Sequence, residues 1–319
     1  MLSRVANSIY WLHRYIERAE NSSRFIDVNF NLALDLPPDL TEQWKPLLVA
    51  LGDWELFQQL HNKPTKNNII FFLGFDQRNP NSIYSCLNNA RENARTIREH
   101  LTNEVWTNIN NLYLTVKDYT ARKSWNSKDP RLIFTDIKKG CQLNLGINDS
   151  TVAQTEGWHF GKVSRCLERA DKTSRILDVK YHYLLPSVDS VGSPLDMLHW
   201  SALLKSVSAY NMYRQCYGRI QSFHIIEYLV LNPIFPRSIL HCLTEAEKSL
   251  HAISETPNIG FKNEAEKRIG NVRSEIEYAS TEDILEFGLH EYLDNLQFKI
   301  NSVSDAIFDT YFAIKENLK

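Results

Sequence analysis

The sequence predicts an all-α protein, a compact helical bundle built from two tandemly duplicated halves related by a pseudo-two-fold axis. Three observations carry that expectation. Residues 14–28 (RYIERAENSSRFIDV) and 165–179 (RCLERADKTSRILDV) are copies of one segment, identical at eight of fifteen aligned positions. A second pair, FLGFDQRNPNSIYSCLNNA at 72–90 and YLVLNPIFPRSILHCLTEA at 228–246, follows in the same order, the offset being 151 residues for the first pair and 156 for the second. Finally, apolar residues recur at the helical period, with no strand alternation and no glycine-rich phosphate loop.

The first copy sets Val5, Ile9, Leu12, Ile16, Ala19, Ile26 and Phe30 on one stripe. The second sets Phe160, Val163, Leu167, Ala170, Leu177 and Tyr181 at corresponding positions, so each copy reads as a helix of about seven turns facing a core. A later helix carries Ile83, Leu87, Ala90, Ala94, Ile97 and Leu101, and its duplicate carries Ile239, Leu243, Ala246, Leu250 and Ile253. Ser193 and Pro194 form a helix start that Gly218 closes, and Pro236 can start another helix. From Thr281 a periodic segment runs nearly to Lys319, with Glu282 and Asp283 at the positive end of its dipole. Loops are expected near 35–46, 61–68, 123–131, 140–156, 186–193 and 254–262. The organisation is then one unit over 1–319, with a first half of about 1–125, a connector of about 126–156 and a second half of about 157–319.

Composition narrows the functional classes. A net charge of -2 supplies no broad basic field, and no basic cluster interleaved with aromatics stands out, so nucleic acid is not an expected partner. No run of eighteen apolar residues occurs, and Arg4 and Arg14 interrupt the start, so a membrane segment is not expected and the chain reads as cytoplasmic. Five cysteines without paired spacing read as buried reduced thiols. Ten histidines, His13, His159, His182 and His199 among them, fall at no metal-site spacing. No metal, cofactor or catalytic residue is assigned.

The segments MLSRVANSIYWLHRYIERAE, ARENARTIREHLTNEVWTNIN, GWHFGKVSRCLERADKTSRILDVKYH and PRSILHCL resemble the bacterial alpha-E family, named for a helical domain with a Glu-Arg motif. The resemblance runs from Met1 to about Ile253. It implies a partner, because members occur beside or fused to a circularly permuted ATP-grasp ligase-like protein, often with a transglutaminase-like protein nearby. Such company implies synthesis or processing of peptide or amide bonds. Where the family often has Thr-Met-x-Arg before the second copy, this chain reads STVAQTEGW, with Gln154 in place of the arginine.

On the helical wheel Glu17 and Arg24 flank the first stripe, while Arg14 and Arg18 lie almost opposite it; the second copy keeps all four positions as Glu168, Arg175, Arg165 and Arg169. Two readings are open. In one, Glu17 with Arg24 and Glu168 with Arg175 form a structural ion-pair network that docks the halves. In the other, the arginines form a two-sided cradle for carboxylate or phosphate. Arg91, Arg95 and Arg98 form a row whose second-half counterparts are Glu247, His251 and Ser254; this unduplicated row either converges on one anionic group or on neighbouring acids, or is a solvated, salt-bridged face with Glu92, Glu99 and Glu104 nearby. Three classes of function follow. The first is an accessory partner that holds an anionic peptide, a small molecule or the ligase, with no ATPase activity of its own. The others are an acyl- or aminoacyl-transfer enzyme with an arginine-lined site, and a purely structural helical protein.

Overall fold

The computed structural model describes residues 1–35, 44–126, 130–182, 192–257 and 259–313. Among them fifteen α-helices form and no strand. They are α1 (Ser3–Asp35), α2 (Lys45–Leu51), α3 (Trp54–Leu60), α4 (Lys66–Gly74), α5 (Ile83–Thr96), α6 (Asn103–Ala121), α7 (Arg131–Thr151) and α8 (Glu156–His182). There follow α9 (Pro194–Ser206), α10 (Tyr210–Tyr217), α11 (Ser222–Ile226), α12 (Ile239–Ser254), α13 (Glu264–Glu277), α14 (Thr281–Phe287) and α15 (Leu289–Ile307). Short 3-10 turns occupy Arg98–His100 and Ser124–Asn126, and π-helical turns occupy Glu227–Leu231 and Phe308–Phe312.

The two long stripes become the centre of the molecule. Every residue of the first, from Val5 to Phe30, is buried, as are Phe160, Val163, Leu167, Ala170 and Leu177 of the second. Helix α1 packs on α8, and around this pair α5 and α7 lie on α1 while α12 and α15 lie on α8. The short helices cross over, α9 docking on α1 and α2 on α8. Two glycines let the central pair approach. A Cβ on Gly161 would stand 2.6 Å from the His13 ring, and one on Gly157 would stand 3.1 Å from Ile9 Cδ1.

Hydroxyl caps fix where the flanking helices start. Ser82 Oγ accepts from Ser85 N and Ser238 Oγ accepts from His241 N, each at 3.2 Å, satisfying first-turn donors of α5 and α12. Helix α12 therefore starts at Ile239, and Pro236 stands two residues ahead of the Ser238 cap without being the first helical residue. The cap at Ser193 with Pro194 is formed, but the segment to Gly218 is split: Ser208, at φ 55°, separates α9 from α10. The run from Thr281 also breaks, at Gly288 with φ 99°; residues 314–319, where it was expected to end, lie outside the described residues.

The largest difference from the sequence expectation is at 140–156. Its glycines and asparagines suggest a loop, yet residues up to Thr151 belong to α7. Packing explains it. Ile133, Phe134, Ile137 and Cys141 bury a face against α1 and α6, and Gly140 gives Leu112 room that a Cβ would take at 2.4 Å. Buried Asn148 donates to Asn144 O at 2.8 Å, so the polar side chains on this helix are partly satisfied within it. Of the other expected loops, the stretches 36–43, 127–129 and 186–191 lie outside the described residues. Helix α5 ends at Thr96, before Ile97 and Leu101 of its expected stripe. Four of the cysteines are buried free thiols and Cys216 is exposed. No described helix is long and apolar enough to cross a membrane.

Candidate functional site

The paired segments of α1 and α8 meet through their Glu-Arg dipeptides. Arg18 donates to Glu168 through Nε at 2.7 Å and Nη2 at 3.0 Å, and Arg169 donates to Glu17 through Nε and Nη2, both at 2.8 Å. Each glutamate is thus held by the arginine of the opposite helix in the two-pronged geometry that suits guanidinium and carboxylate. Arg14 adds a third contact, Nε to Glu168 Oε2 at 2.7 Å. Glu168 is 0% exposed and Glu17 2%. Burial alone would raise the Glu17 carboxyl, but Arg169 and Arg237 outweigh it and hold the group down to about 2. The same opposition, with Arg18 and Lys172 prevailing, keeps Glu168 well below its ordinary range.

The pairing of Glu17 with Arg24 and of Glu168 with Arg175 is not formed. Arg24 takes Glu20 at 2.6 Å, and Arg175 takes Asp171 at 3.0 Å. The reason is geometric: residues seven apart on a helix lie about 10.5 Å apart along its axis, whereas residues four apart are neighbours. Arg14, Arg18 and Arg169, set apart in the sequence as a possible cradle, and Glu17 and Glu168, set apart as structural, are therefore members of one network. Arg165 is half-buried beside it. With burial as the larger cause, Arg165 helps drive the His13 imidazole down to about 3.

Sequence reasoning missed Glu20, Asp53, Asp171 and Lys172 of this network and, above all, Arg237. Its Nη1 donates to Asn21 Oδ1 at 2.9 Å and to Glu17 Oε1 at 3.3 Å, and its Nη2 donates to Glu20 Oε1 at 2.9 Å. A signal was present: the 156-residue offset sets Arg237 opposite Asn81, which accepts from Arg18 Nη1 at 2.9 Å. The network holds seven cations, Arg14, Arg18, Arg24, Arg169, Lys172, Arg175 and Arg237, against five carboxylates, Glu17, Glu20, Asp53, Glu168 and Asp171. Positive charge is in surplus. Burial, and after it the neighbouring Arg169, lower the Arg237 guanidinium to about 10 despite Glu17 and Glu20.

Part of this charge opens to a cleft of about 330 Å³ between α1 and α15 with its π-helical end. Arg14 and Arg18 form its cationic wall, opposite Asn301, Ser304 and Asp305. Tyr10, Trp11, Phe308 and Phe312 close one end. Arg14 Nη1 spans the floor, donating to Tyr10 Oη at 2.8 Å and Ser304 Oγ at 3.1 Å. Glu168 thus fixes one edge of the guanidinium, while another edge faces the cleft.

Arg91 and Arg95 converge on an acid of their own helix, Glu92, which Arg91 Nη1 meets at 3.1 Å and Arg95 Nη2 at 2.6 Å, while Arg98 stands apart from them. Arg91 donates to Asn110 Oδ1 at 2.8 Å and lies 4.9 Å from the Tyr113 ring centre; Arg95 pairs with Glu92 at 2.6 Å and is exposed. Arg98 stands on the 3-10 turn after α5, donating to Leu101 O and Asn103 Oδ1 and lying 5.6 Å from the Trp106 ring centre. Because α5 stops at Thr96, the three share no continuous helical face. Glu247, at the position of Arg91, pairs with Arg273 at 2.7 Å. Among the described residues no group of three or more His, Cys, Asp or Glu is placed to hold a metal ion.

Two relatives are uncharacterised proteins of Mycobacterium bovis and Mycobacterium tuberculosis, each 19% identical over 337 aligned positions that cover 98% of this chain. The chain spans only 37% of the length of either. No solved structure matches. A family model described as a predicted alpha-helical domain with a conserved ER motif matches residues 1–312, and ER is the dipeptide at Glu17-Arg18 and at Glu168-Arg169, so the chain belongs to the Alpha-E family.

Proposed function

We propose that this chain is a non-catalytic, accessory component of a system that makes peptide or amide bonds. In this reading it works in the cytoplasm beside a circularly permuted ATP-grasp protein, with a transglutaminase-like protein as a further partner, and holds an anionic peptide or small molecule. The observation that carries the reading is the cleft over Arg14, where two arginines fixed by a buried glutamate face an open volume of about 330 Å³. The cation surplus supports it, since Arg14 and Arg18 share the single carboxylate of Glu168 with each other and with Lys172, and the excess positive charge attracts an anion. The ATP-grasp partner rests on the family resemblance alone. The complete pairing of Glu17 and Glu168 favours a purely structural role for that part of the network.

The reading includes a duplicated chain with a pseudo-two-fold axis between α1 and α8. Its support is the exchange of partners between the copies. Arg18 takes Glu168 while Arg169 takes Glu17, and α9 lies on α1 while α2 lies on α8. Reciprocal contacts of this kind are the signature of a two-fold interface. Arg24 reaches Ser208, and Arg175 lies 3.4 Å from where a Gly52 Cβ would be; Ser208 and Gly52 are both left-handed and stand 156 residues apart.

Titration of the purified chain with acetylated tetraglutamate, read by calorimetry, tests the anion site. Binding is expected in the wild type and lost in Ser304→Asp, whose carboxylate would occupy Arg14 internally while leaving the network folded. An absence of binding, or equal binding by the variant, would refute the site. Nucleotide hydrolysis by the chain that is abolished by mutating one of its own residues would refute the accessory role.

A further inference from the structure

The cleft is graded in polarity along its length, and that grading narrows the ligand. Helix α1 contributes Arg18, Arg14 and then Trp11 and Tyr10; α15 and the turn after it contribute Asn301, Ser304 with Asp305, and then Phe308 and Phe312. Since Arg14 bonds Ser304 and Tyr10 lies 5.5 Å from Phe312, the two elements run antiparallel and their like residues meet. One end therefore carries two guanidinium groups and an amide, the middle the Ser304 hydroxyl and the Asp305 carboxylate, and the other end four aromatic rings. The rings are not all closed into the core: Phe308 is 48% exposed and Trp11 half-buried. The Phe308–Phe312 segment is also π-helical, a local distortion found often at binding sites.

We infer that the cleft takes a carboxylate carried directly beside a large apolar or aromatic group, the chemistry of a peptide C terminus ending in such a residue. The inference rests on the reading above that the cleft holds an anion. With the Nε groups of both arginines on Glu168, the Nη hydrogens that Glu168, Tyr10, Ser304 and Asn81 do not take can each donate a single charge-assisted bond to a carboxylate, whereas a bare inorganic anion would leave the aromatic end unfilled. The side chain beside the carboxylate would lie against Trp11 and Phe308, replacing water over apolar surface. Beside a passing peptide group, the Asn301 amide can donate to its carbonyl oxygen or accept from its N–H, while Ser304, whose hydroxyl hydrogen goes to Ile300 O at 3.2 Å, can only accept. A volume of about 330 Å³ suits one or two residues and lies at the small end of ligand sites.

Calorimetric titration of the full chain with four probes tests this: N-acetyl-Gly-Phe as the free acid, the same dipeptide as its C-terminal amide, N-acetyl-Gly-Gly acid, and inorganic phosphate. A hydrogen bond to a charged group corresponds to about a tenfold change in affinity or more, so the Phe acid should bind at least tenfold tighter than each other probe. Phe308→Ala, outside the ion-pair network, should erase the preference for Phe over Gly and leave thermal unfolding unchanged. Equal affinity for acid and amide, affinity for phosphate or the Gly-Gly acid matching the Phe acid, no binding of the Phe acid, or a preference that survives Phe308→Ala would each overturn the inference. Tetraglutamate binding that persists in those cases leaves the anion site standing, so the two failures are distinguishable.

Discussion

Replacing Glu168 with alanine would leave Arg14 and Arg18 buried beside Lys172 with no carboxylate between them. Removal of one partner from a buried pair costs about 3–5 kcal/mol, so Glu168→Ala should lose about that much in denaturant unfolding. Arg95→Ala, at an exposed contact with Glu92, should change stability by under about 1 kcal/mol. Protonation supplies a second test at this scale. Glu17, Glu168 and Asp171 titrate lower in the folded chain than unfolded, and so does His13, at about 3 against an ordinary 6.5. In every case the unfolded chain binds the proton more readily, so stability is present at neutral pH and is lost on acidification. The His13 contribution disappears as pH falls from 6.5 toward 3, and that of Glu17 as it falls from 4.5 toward about 2. His13→Gln should therefore flatten the fall in melting temperature between pH 6.5 and 4.5 while the steeper fall below remains. An unaltered profile would mean that His13 titrates normally.

At the scale of the element, starts were more legible than ends. Ser193-Pro194 announces a helix because hydroxyl capping and a fixed proline φ act within a few residues. The breaks at Ser208 and Gly288, and the persistence of α7 through Gly140 and Gly146, depend on what each helix meets across the bundle. A lone periodic pattern does not contain that information. The approach of α1 to α8 is such a contact, and it makes Gly161 critical. In Gly161→Ala the new methyl would fall 2.6 Å from the His13 ring, so the helices or the imidazole must shift. Overpacking of this kind costs about 1–3 kcal/mol, and Gly146→Ala, with nothing within 4 Å of its Cβ, serves as the control and should be neutral or stabilising. Equal unfolding midpoints for the two variants would show that the α1–α8 contact is looser than described.

For the whole molecule, the all-helical class and the two central helices were readable because their stripes repeat over many turns. The network was readable in part of its membership and not in connectivity. A helical wheel places Glu17 and Arg18 on one helix but cannot say which face of α8 they meet, so the choice between a partner seven residues away and one 152 residues away required the crossing of the helices. Arg237 was hidden for a related reason: its counterpart is the uncharged Asn81, and the repeat draws attention to what is kept. The Glu-Arg dipeptides of α1 and α8 complete each other, Arg18 with Glu168 and Arg169 with Glu17. A double-mutant cycle in denaturant unfolding measures this directly, pairing Arg169→Gln with Glu17→Gln across the copies and with Glu168→Gln inside its own dipeptide. The expected result is a favourable coupling of about 2 kcal/mol or more between Arg169 and Glu17, within the usual range for contacting residues, and near zero between Arg169 and Glu168. Strong coupling within the dipeptide, with none between Arg169 and Glu17, would contradict it.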